Sequence, residues 1–117
     1  MKKRDIKILL VDDDADIIEI VQYNLLQEGY QIFTASNGKE AIAVAKKELP
    51  HLIIMDVMMP VMDGMEACEQ IRLLPELQNV IITFLSARNE DYSQLAGFEA
   101  GADDYIAKPI KPKILVS

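Results

Sequence analysis

The stretch LIIMDVMMPVMDGME, residues 52–66, places an acidic residue directly after a short apolar run. Such a run, bounded by turn signals, predicts a buried strand over Leu52–Asp56. A strand that is apolar on both faces is typical of a parallel sheet covered by helices on both sides. In sheets of this kind, ligands bind beyond the carboxyl ends of the strands. We therefore expect Asp56 to lie where the architecture places its functional site.

Outward from this stretch, the chain alternates short apolar runs with helical patterns. Strands are predicted over residues 7–11, 31–35, 52–56, 80–85 and 105–107, and helices over residues 15–28, 39–48, 64–74 and 90–100, with a truncated fifth helix in residues 111–117. Alternating strands and helices indicate βαβ units and a parallel sheet. We predict an α/β, doubly wound, flavodoxin-like fold with five strands. Its strand order, 2-1-3-4-5, is taken from that fold rather than derived.

Composition limits the classes of protein to consider. At 117 residues the chain suits one domain, and its net charge of −7 argues against nucleic-acid binding, because phosphate backbones attract clustered Lys and Arg. The single cysteine, Cys68, cannot form an internal disulfide, and its apolar helical setting predicts a buried, unreactive thiol. No apolar run reaches the roughly 20 residues that cross a bilayer, and no signal peptide opens the chain. We expect a soluble, cytoplasmic protein with no membrane partner.

Polar side chains follow the predicted strands at four of their carboxyl ends. They are Asp12 and Asp13, Asp56, Ser86, and Lys108. Carboxylates gathered in one cleft repel one another unless a cation neutralises them, and Mg²⁺ prefers such hard oxygen ligands. A carboxylate beside Mg²⁺ can attack phosphorus and form an acyl phosphate. The remaining phosphoryl oxygens would then require a hydroxyl that donates a hydrogen bond and a cation that balances their charge.

Each of these residues also has an ordinary structural explanation. An isolated acidic cluster after a first strand is more often a helix N-cap than a metal site, and Asp14 is expected to be such a cap. A Ser after a strand is commonly a turn residue, and a Lys before Pro a solvated loop residue. Thr83 is expected to pack within its strand, facing away from the site, and His51 to lie on the surface. The coincidence at four strand ends favours phosphoryl chemistry.

Four segments of the chain resemble the receiver domain of bacterial two-component response regulators. They are ILLVDDD at residues 8–14, DVMMPVMDG at 56–64, LSA at 85–87 and GADDYIAKP at 101–109. The separations of Asp56 from Ser86 and from Lys108 also suit that family. The resemblance spans nearly the whole chain. It implies a signalling domain activated by phosphorylation, rather than an enzyme with multiple turnover.

The resemblance also implies how the acidic residues divide their roles. Asp56 is the phosphoacceptor, which takes a phosphoryl group from a phosphohistidine of a sensor histidine kinase. Asp13, Asp56 and the backbone carbonyl of Met58 hold Mg²⁺, and Asp12 contributes mainly through water.

Three residues outside the acidic cluster complete the implied site. Ser86 hydrogen-bonds a phosphoryl oxygen. Lys108 pairs with the phosphoryl group, and a cis peptide bond between Lys108 and Pro109 aims its side chain inward. Tyr105 is the aromatic switch that turns inward when Ser86 moves, which is a population shift between two packings. Alternatively, Tyr105 is an ordinary half-buried tyrosine of the strand, with its hydroxyl exposed to solvent.

The sequence of the C-terminal third leans toward the OmpR/PhoB-like class, whose output domain binds DNA. The resemblance therefore describes residues 1–117 as a receiver domain from a longer regulator, with the output domain absent. In that class, phosphorylation promotes a homodimer through the face of the fourth helix, fifth strand and fifth helix. Asp103 and Asp104 suit the charge pattern of that face. Gln94 and Ile114 depart from it, which leaves dimerisation open.

Three other interpretations stay open at this point. A small aspartyl phosphohydrolase of the haloacid dehalogenase type also uses a strand-end aspartate with Mg²⁺, although only Asp12 and Asp14 match its first motif. A degenerate receiver would bind partners without phosphorylation, which the complete set of acidic, hydroxyl and Lys residues disfavours. A flavin carrier would share the fold, but the loop after the first strand is too acidic for an FMN phosphate.

Overall fold

The computed structural model describes residues 2–86 and 101–107, of which Ser86 and residues 105–107 are described by their backbone only. In chain order the strands and α-helices are β1 (Lys7–Val11), α1 (Ala15–Gln27), β2 (Gln31–Ala35), α2 (Gly38–Glu48), β3 (Leu52–Asp56), α3 (Gly64–Arg72), β4 (Ile81–Ser86) and β5 (Asp104–Ala107). Two 3₁₀ turns, Lys3–Asp5 and Pro75–Leu77, were not predicted. All four strand pairings are parallel, and the order is β2-β1-β3-β4-β5. The predicted architecture is confirmed.

Each described α-helix begins at an Asp or Asn whose side chain accepts a backbone hydrogen bond. The Oδ1 atom of Asp14 accepts from the amide of Asp16 at 3.0 Å, which confirms the predicted cap of α1. Asn37 caps α2 and Asp63 caps α3 in the same way, through the amides three residues further on. These bonds satisfy donors that a helix N-terminus otherwise leaves without a partner.

Two hydrophobic clusters lie on opposite faces of the sheet. Alternate residues of one strand point to opposite faces, so Ile53 and Met55 pack beneath α2 and α3 while Ile54 packs beneath α1. Thr83 is 7% exposed, as its predicted packing role requires. His51 is exposed at the amino end of β3, where its Nδ1 atom accepts from the amide of Lys7 at 3.0 Å. The apolar run 52–55 is therefore buried from both sides.

Several predictions lie outside the described residues. They concern the helix at 90–100, the truncated fifth helix at 111–117, the Lys108-Pro109 bond, and the side chains of Ser86 and Tyr105. Within the ranges 2–86 and 101–107, no helix is both long and apolar enough to cross a membrane.

Candidate functional site

Three carboxylates meet at the carboxyl ends of β1 and β3. One oxygen from each of Asp12, Asp13 and Asp56 lies within 4.8 Å of the other two. These strands are neighbours in the sheet, with Val11 paired to Met55, so the residues that follow them emerge side by side. Asp12 and Asp56 are 2% and 6% exposed, whereas Asp13 is exposed. The cluster therefore has a buried base and an open side from which a ligand can enter.

Backbone contacts fix the orientation of Asp12. Its amide donates to the carbonyl of Ala35 at 3.2 Å, which extends the pairing of β1 with β2 by one residue. Its Oδ1 atom accepts from the amide of Asp14 at 2.9 Å. Asp12 thus points back toward the start of α1, and Asp13, one residue later, turns outward.

The loop from β3 to α3 passes very close to the backbone of Asp56. The amide of Gly64 donates to the carbonyl of Val57 at 2.8 Å, and the amide of Val57 donates to the carbonyl of Leu85 at 3.1 Å. A Cβ atom at Gly64 would stand 2.2 Å from the carbonyl oxygen of Asp56. Any larger residue at position 64 would displace the backbone of Asp56, which explains the glycine that follows Asp63.

The same loop carries Met58 at its outer edge. Met58 is 78% exposed, so its side chain lies on the surface and not in the core. The other end of the loop is tied to α2, because the amide of Gly38 donates to the carbonyl of Met62 at 2.9 Å. The loop is held at both ends, which limits the freedom of the backbone near Met58.

A hollow of about 250 Å³ opens beside the carboxylates. It is lined by Asp12, Asp13, Ala15, Ile18, Thr34, Ala35, Ser36 and Glu40. A larger, apolar cavity of about 380 Å³ lies toward the amino ends of the strands, with Ile6, Tyr30 and Ile81 among its walls. We place the site at the three carboxylates, of which Asp12 and Asp13 line the smaller hollow, because hard oxygen ligands and not apolar walls suit a divalent cation such as Mg²⁺.

The backbone of β4 and β5 reaches the same end of the sheet. Asp56 pairs with Leu85 across β3 and β4, and Ser86 pairs with Ala107 across β4 and β5. The backbone of Ser86 therefore lies one residue beyond the level of Asp56. Lys108, which comes next after β5 in the sequence, lies outside the described residues.

Cys68 lies away from the carboxylates, in the cluster beneath α3. It is fully buried, and burial raises the pKa of its thiol to about 11 against the lowering effect of the nearby Arg72 charge. A thiol that stays protonated at neutral pH is a poor nucleophile and a poor metal ligand. The expected buried thiol is confirmed.

The chain matches the family model described as "Response regulator receiver domain" over residues 8–117. It is 44% identical over 107 residues to the alkaline phosphatase synthesis transcriptional regulatory protein PhoP of Bacillus subtilis. That match covers 92% of this chain and 44% of PhoP. A probable transcriptional regulator, ycf27 of Pyropia yezoensis, is also 44% identical, over 98% of this chain and 46% of its own length. The chain thus spans less than half the length of these curated relatives.

Solved structures show the same fold. The chemotaxis response regulator CheY4 of Vibrio cholerae superposes with a TM-score of 0.90 and 34% identity, covering 95% of this chain and 92% of CheY4. The BeF3-activated DrrB receiver domain gives a TM-score of 0.83 and 36% identity, covering 94% of this chain and 90% of that domain. Because the family model and the fold agree over nearly the whole chain, the protein belongs to the response regulator receiver domain family and is a phosphorylation-activated signalling domain.

Proposed function

We propose that Asp56 accepts the phosphoryl group of a phosphohistidine on a sensor histidine kinase. A carboxylate oxygen of Asp56 forms a bond to phosphorus, the bond from phosphorus to the histidine nitrogen breaks, and its electron pair returns to the imidazole. The observation that carries this proposal is the meeting of three carboxylates at the ends of β1 and β3. Asp56 is the buried member that ends a strand, so its backbone is rigidly supported.

The proposed reaction uses Mg²⁺ held by Asp13, Asp56 and the carbonyl of Met58, with Asp12 acting mainly through water. The donor set fits this ion, because carboxylate oxygens from Asp12, Asp13 and Asp56 lie within 4.8 Å of one another on a partly open surface. When bound, Mg²⁺ would neutralise the charge that develops on the phosphoryl oxygens. Asp12 and Asp13 would hold and orient the Mg²⁺ ion and take no part in bond making.

The remaining roles in the proposal follow the family pattern. Ser86 hydrogen-bonds a phosphoryl oxygen, Lys108 pairs with another, and Tyr105 changes its packing in response. The backbone pairing of Ser86 with Ala107 supports this assignment, since it brings the ends of β4 and β5 to one level. The proposed reaction does not involve turnover of a small substrate. The phosphoryl group is transferred to the chain itself and is then lost slowly.

For the whole protein, we propose one receiver domain over residues 1–117 that controls an output domain. The relatives PhoP and ycf27 are named as transcriptional regulators and are more than twice as long as their matched segments. This supports a DNA-binding output of the OmpR/PhoB-like class. Dimerisation through the face that includes β5, and a cytoplasmic location, stay predictions.

Intact-protein mass spectrometry after incubation with acetyl phosphate tests the acceptor directly. We expect a gain of one phosphoryl group that requires Mg²⁺ and disappears in Asp56→Asn. The matched control is Asp63→Asn, which removes an exposed carboxylate from the same loop while keeping a good helix cap. Equal labelling of the Asp56→Asn variant would refute the assignment of the acceptor. Absence of labelling in a folded, Mg²⁺-bound wild type would instead support a receiver that acts by partner binding alone.

A further inference from the structure

Arg72, the last residue of α3, lies at the end of the sheet opposite the carboxylates. Its side chain is only partly exposed, and its guanidinium donates hydrogen bonds to two separate segments, residues 77–80 and residues 101–103. Nε donates to the carbonyl of Gly101 at 2.9 Å, and Nη1 donates to the carbonyl of Val80 at 2.5 Å. Nη2 donates to Oδ2 of Asp103 at 2.7 Å, which forms a charge-assisted ion pair. One side chain thus joins α3 to the residues before β4 and before β5.

Asp103 connects the same point to the sheet. Its Oδ2 atom also accepts from the amide of Ile82 at 2.9 Å, and its own amide donates to the carbonyl of Ile82 at 2.8 Å. Ile82 is the second residue of β4, so Asp103 is fixed against β4 one residue before β5 begins. We call this pair of residues the Arg72–Asp103 clamp.

The strand that follows the clamp is short and lies at the edge of the described sheet. β5 has four residues, Asp104–Ala107, stands last in the strand order and pairs with β4 alone. A slip of one residue would send every side chain of such a strand to the opposite face. The clamp opposes that slip because a slipped Asp103 would lose its bonds to both Arg72 and Ile82.

We propose that Arg72 and Asp103 are positioning residues for phosphoryl transfer, which they control by fixing the register of β5. This inference rests on the proposed function. β5 ends at Ala107, and the next residue is Lys108, the proposed partner of the phosphoryl group. A slip of one residue moves the end of the strand by about 3.3 Å, which is enough to remove a cation from a phosphoryl oxygen. The clamp therefore acts on the reaction from the far end of the strand.

Two properties of the site should respond differently to loss of the clamp. Mg²⁺ is proposed to be held by residues at the carboxyl ends of β1 and β3 and in the β3–α3 loop, whereas the clamp lies at the opposite end of the sheet. Loss of the clamp should therefore leave Mg²⁺ affinity unchanged and slow phosphorylation, whereas general unfolding would weaken both. Arg72→Lys should also slow phosphorylation, because an ammonium cannot reproduce the planar fork that reaches Gly101 and Asp103 together.

The test compares Arg72→Gln, Asp103→Asn and the double variant with wild type and with Lys47→Gln. Lys47 is an exposed basic residue in the last turn of α2 and serves as the matched control. At saturating Mg²⁺, we expect the rate of labelling by acetyl phosphate to fall about tenfold or more in each clamp variant. The double variant should be no slower than the slower single variant, because the two residues act as one unit. Mg²⁺ affinity should stay within about twofold, and hydrogen exchange at the Ile82 amide should accelerate.

Different failures have different meanings. If wild type is labelled and the clamp variants are labelled at the same rate, the positioning role is wrong while the proposed function stands. If rate and Mg²⁺ affinity fall together, the clamp is merely structural and the inference is overturned. If wild type is not labelled, the proposed function fails and the positioning role falls with it. Unchanged exchange at the Ile82 amide in Arg72→Gln would overturn the clamp itself, whatever the labelling shows.

Discussion

Val61 has a positive φ of +70° in the loop between β3 and α3, at the centre of a three-residue turn in which the amide of Met62 donates to the carbonyl of Pro60 at 2.7 Å. A positive φ is unfavourable for a β-branched residue and costs on the order of 1–2 kcal/mol. The side chain is 78% exposed, so little burial offsets that cost. We predict that Val61→Asn stabilises the protein by about 1 kcal/mol, because Asn occurs at positive φ far more often than a β-branched residue does. The urea midpoint should rise at unchanged slope.

Met58→Asn is the matched control for Val61, since Met58 is an equally exposed apolar residue of the same loop with no positive φ. It should give no comparable gain. A similar rise in both variants would assign the effect to lost surface hydrophobicity and not to relieved strain.

At Gly64 the available space, and not the backbone angle φ, limits which residues the position can accept. In Gly64→Ala the new Cβ atom must displace the backbone carbonyl of Asp56, from which it would otherwise stand 2.2 Å away. We expect a loss of about 1–3 kcal/mol in stability together with weaker Mg²⁺ binding, measured by denaturation and by calorimetric titration. Gly29→Ala is the control: it is strained by a φ of +100°, but its nearest contact is Lys3, far from the carboxylates. Equal loss of Mg²⁺ affinity in both variants would contradict the proposed cause.

At the residue scale, the sequence predicts side chains whose role depends on the end of a strand. The sequence singles out three acidic residues because they come directly after the apolar runs of two predicted strands: Asp12 and Asp13 after the first, and Asp56 after the third. Arg72 could not be singled out in this way, because its partners at Gly101 and Asp103 are distant in the sequence and carry no local signal. Long-range hydrogen bonds to backbone carbonyls depend on the packed fold and leave no periodic pattern.

At the scale of elements, the sequence predicts the existence of strands and helices better than their ends. The helix predicted over 64–74 ends at Arg72, where the amides of Leu73 and Leu74 turn back to carbonyls three residues earlier. Leu74 precedes Pro75 and has extended backbone angles, as proline requires of its neighbour. The strand predicted from residue 80 begins at Ile81, because the carbonyl of Val80 is bound by Arg72. Tertiary contacts decide these boundaries.

At the scale of the whole molecule, the strand order determines where the charges meet. β1 and β3 are neighbours although β2 lies between them in the sequence, and this crossover brings Asp12 and Asp13 next to Asp56. The order could not be derived from local pattern, since alternation of strands and helices fits several arrangements. Once the flavodoxin-like order is accepted, the acidic cluster follows from the sequence.

Because three carboxylates are gathered in one place, metal binding and folding stability should be linked. Mg²⁺ at about one hundred times its dissociation constant should stabilise the native state by about 2.7 kcal/mol, since the unfolded chain does not assemble the site. For a domain of this size, each 1 kcal/mol moves the melting temperature by about 4 °C. Asp13→Asn should lose most of this Mg²⁺-dependent rise. Without Mg²⁺ it should melt above the wild type, because one of the repelling charges is removed.

Differential scanning calorimetry with and without Mg²⁺, at constant ionic strength set with NaCl, measures both effects. Glu19→Gln is the matched control, because it removes one exposed negative charge from α1 outside the cluster. Its melting temperature should rise with Mg²⁺ as much as that of the wild type. An Asp13→Asn variant that keeps the full rise would show that Mg²⁺ acts elsewhere on this acidic chain. A metal-free Asp13→Asn variant that melts below wild type would show that Asp13 stabilises the apo fold, and that its favourable contacts outweigh the repulsion within the cluster.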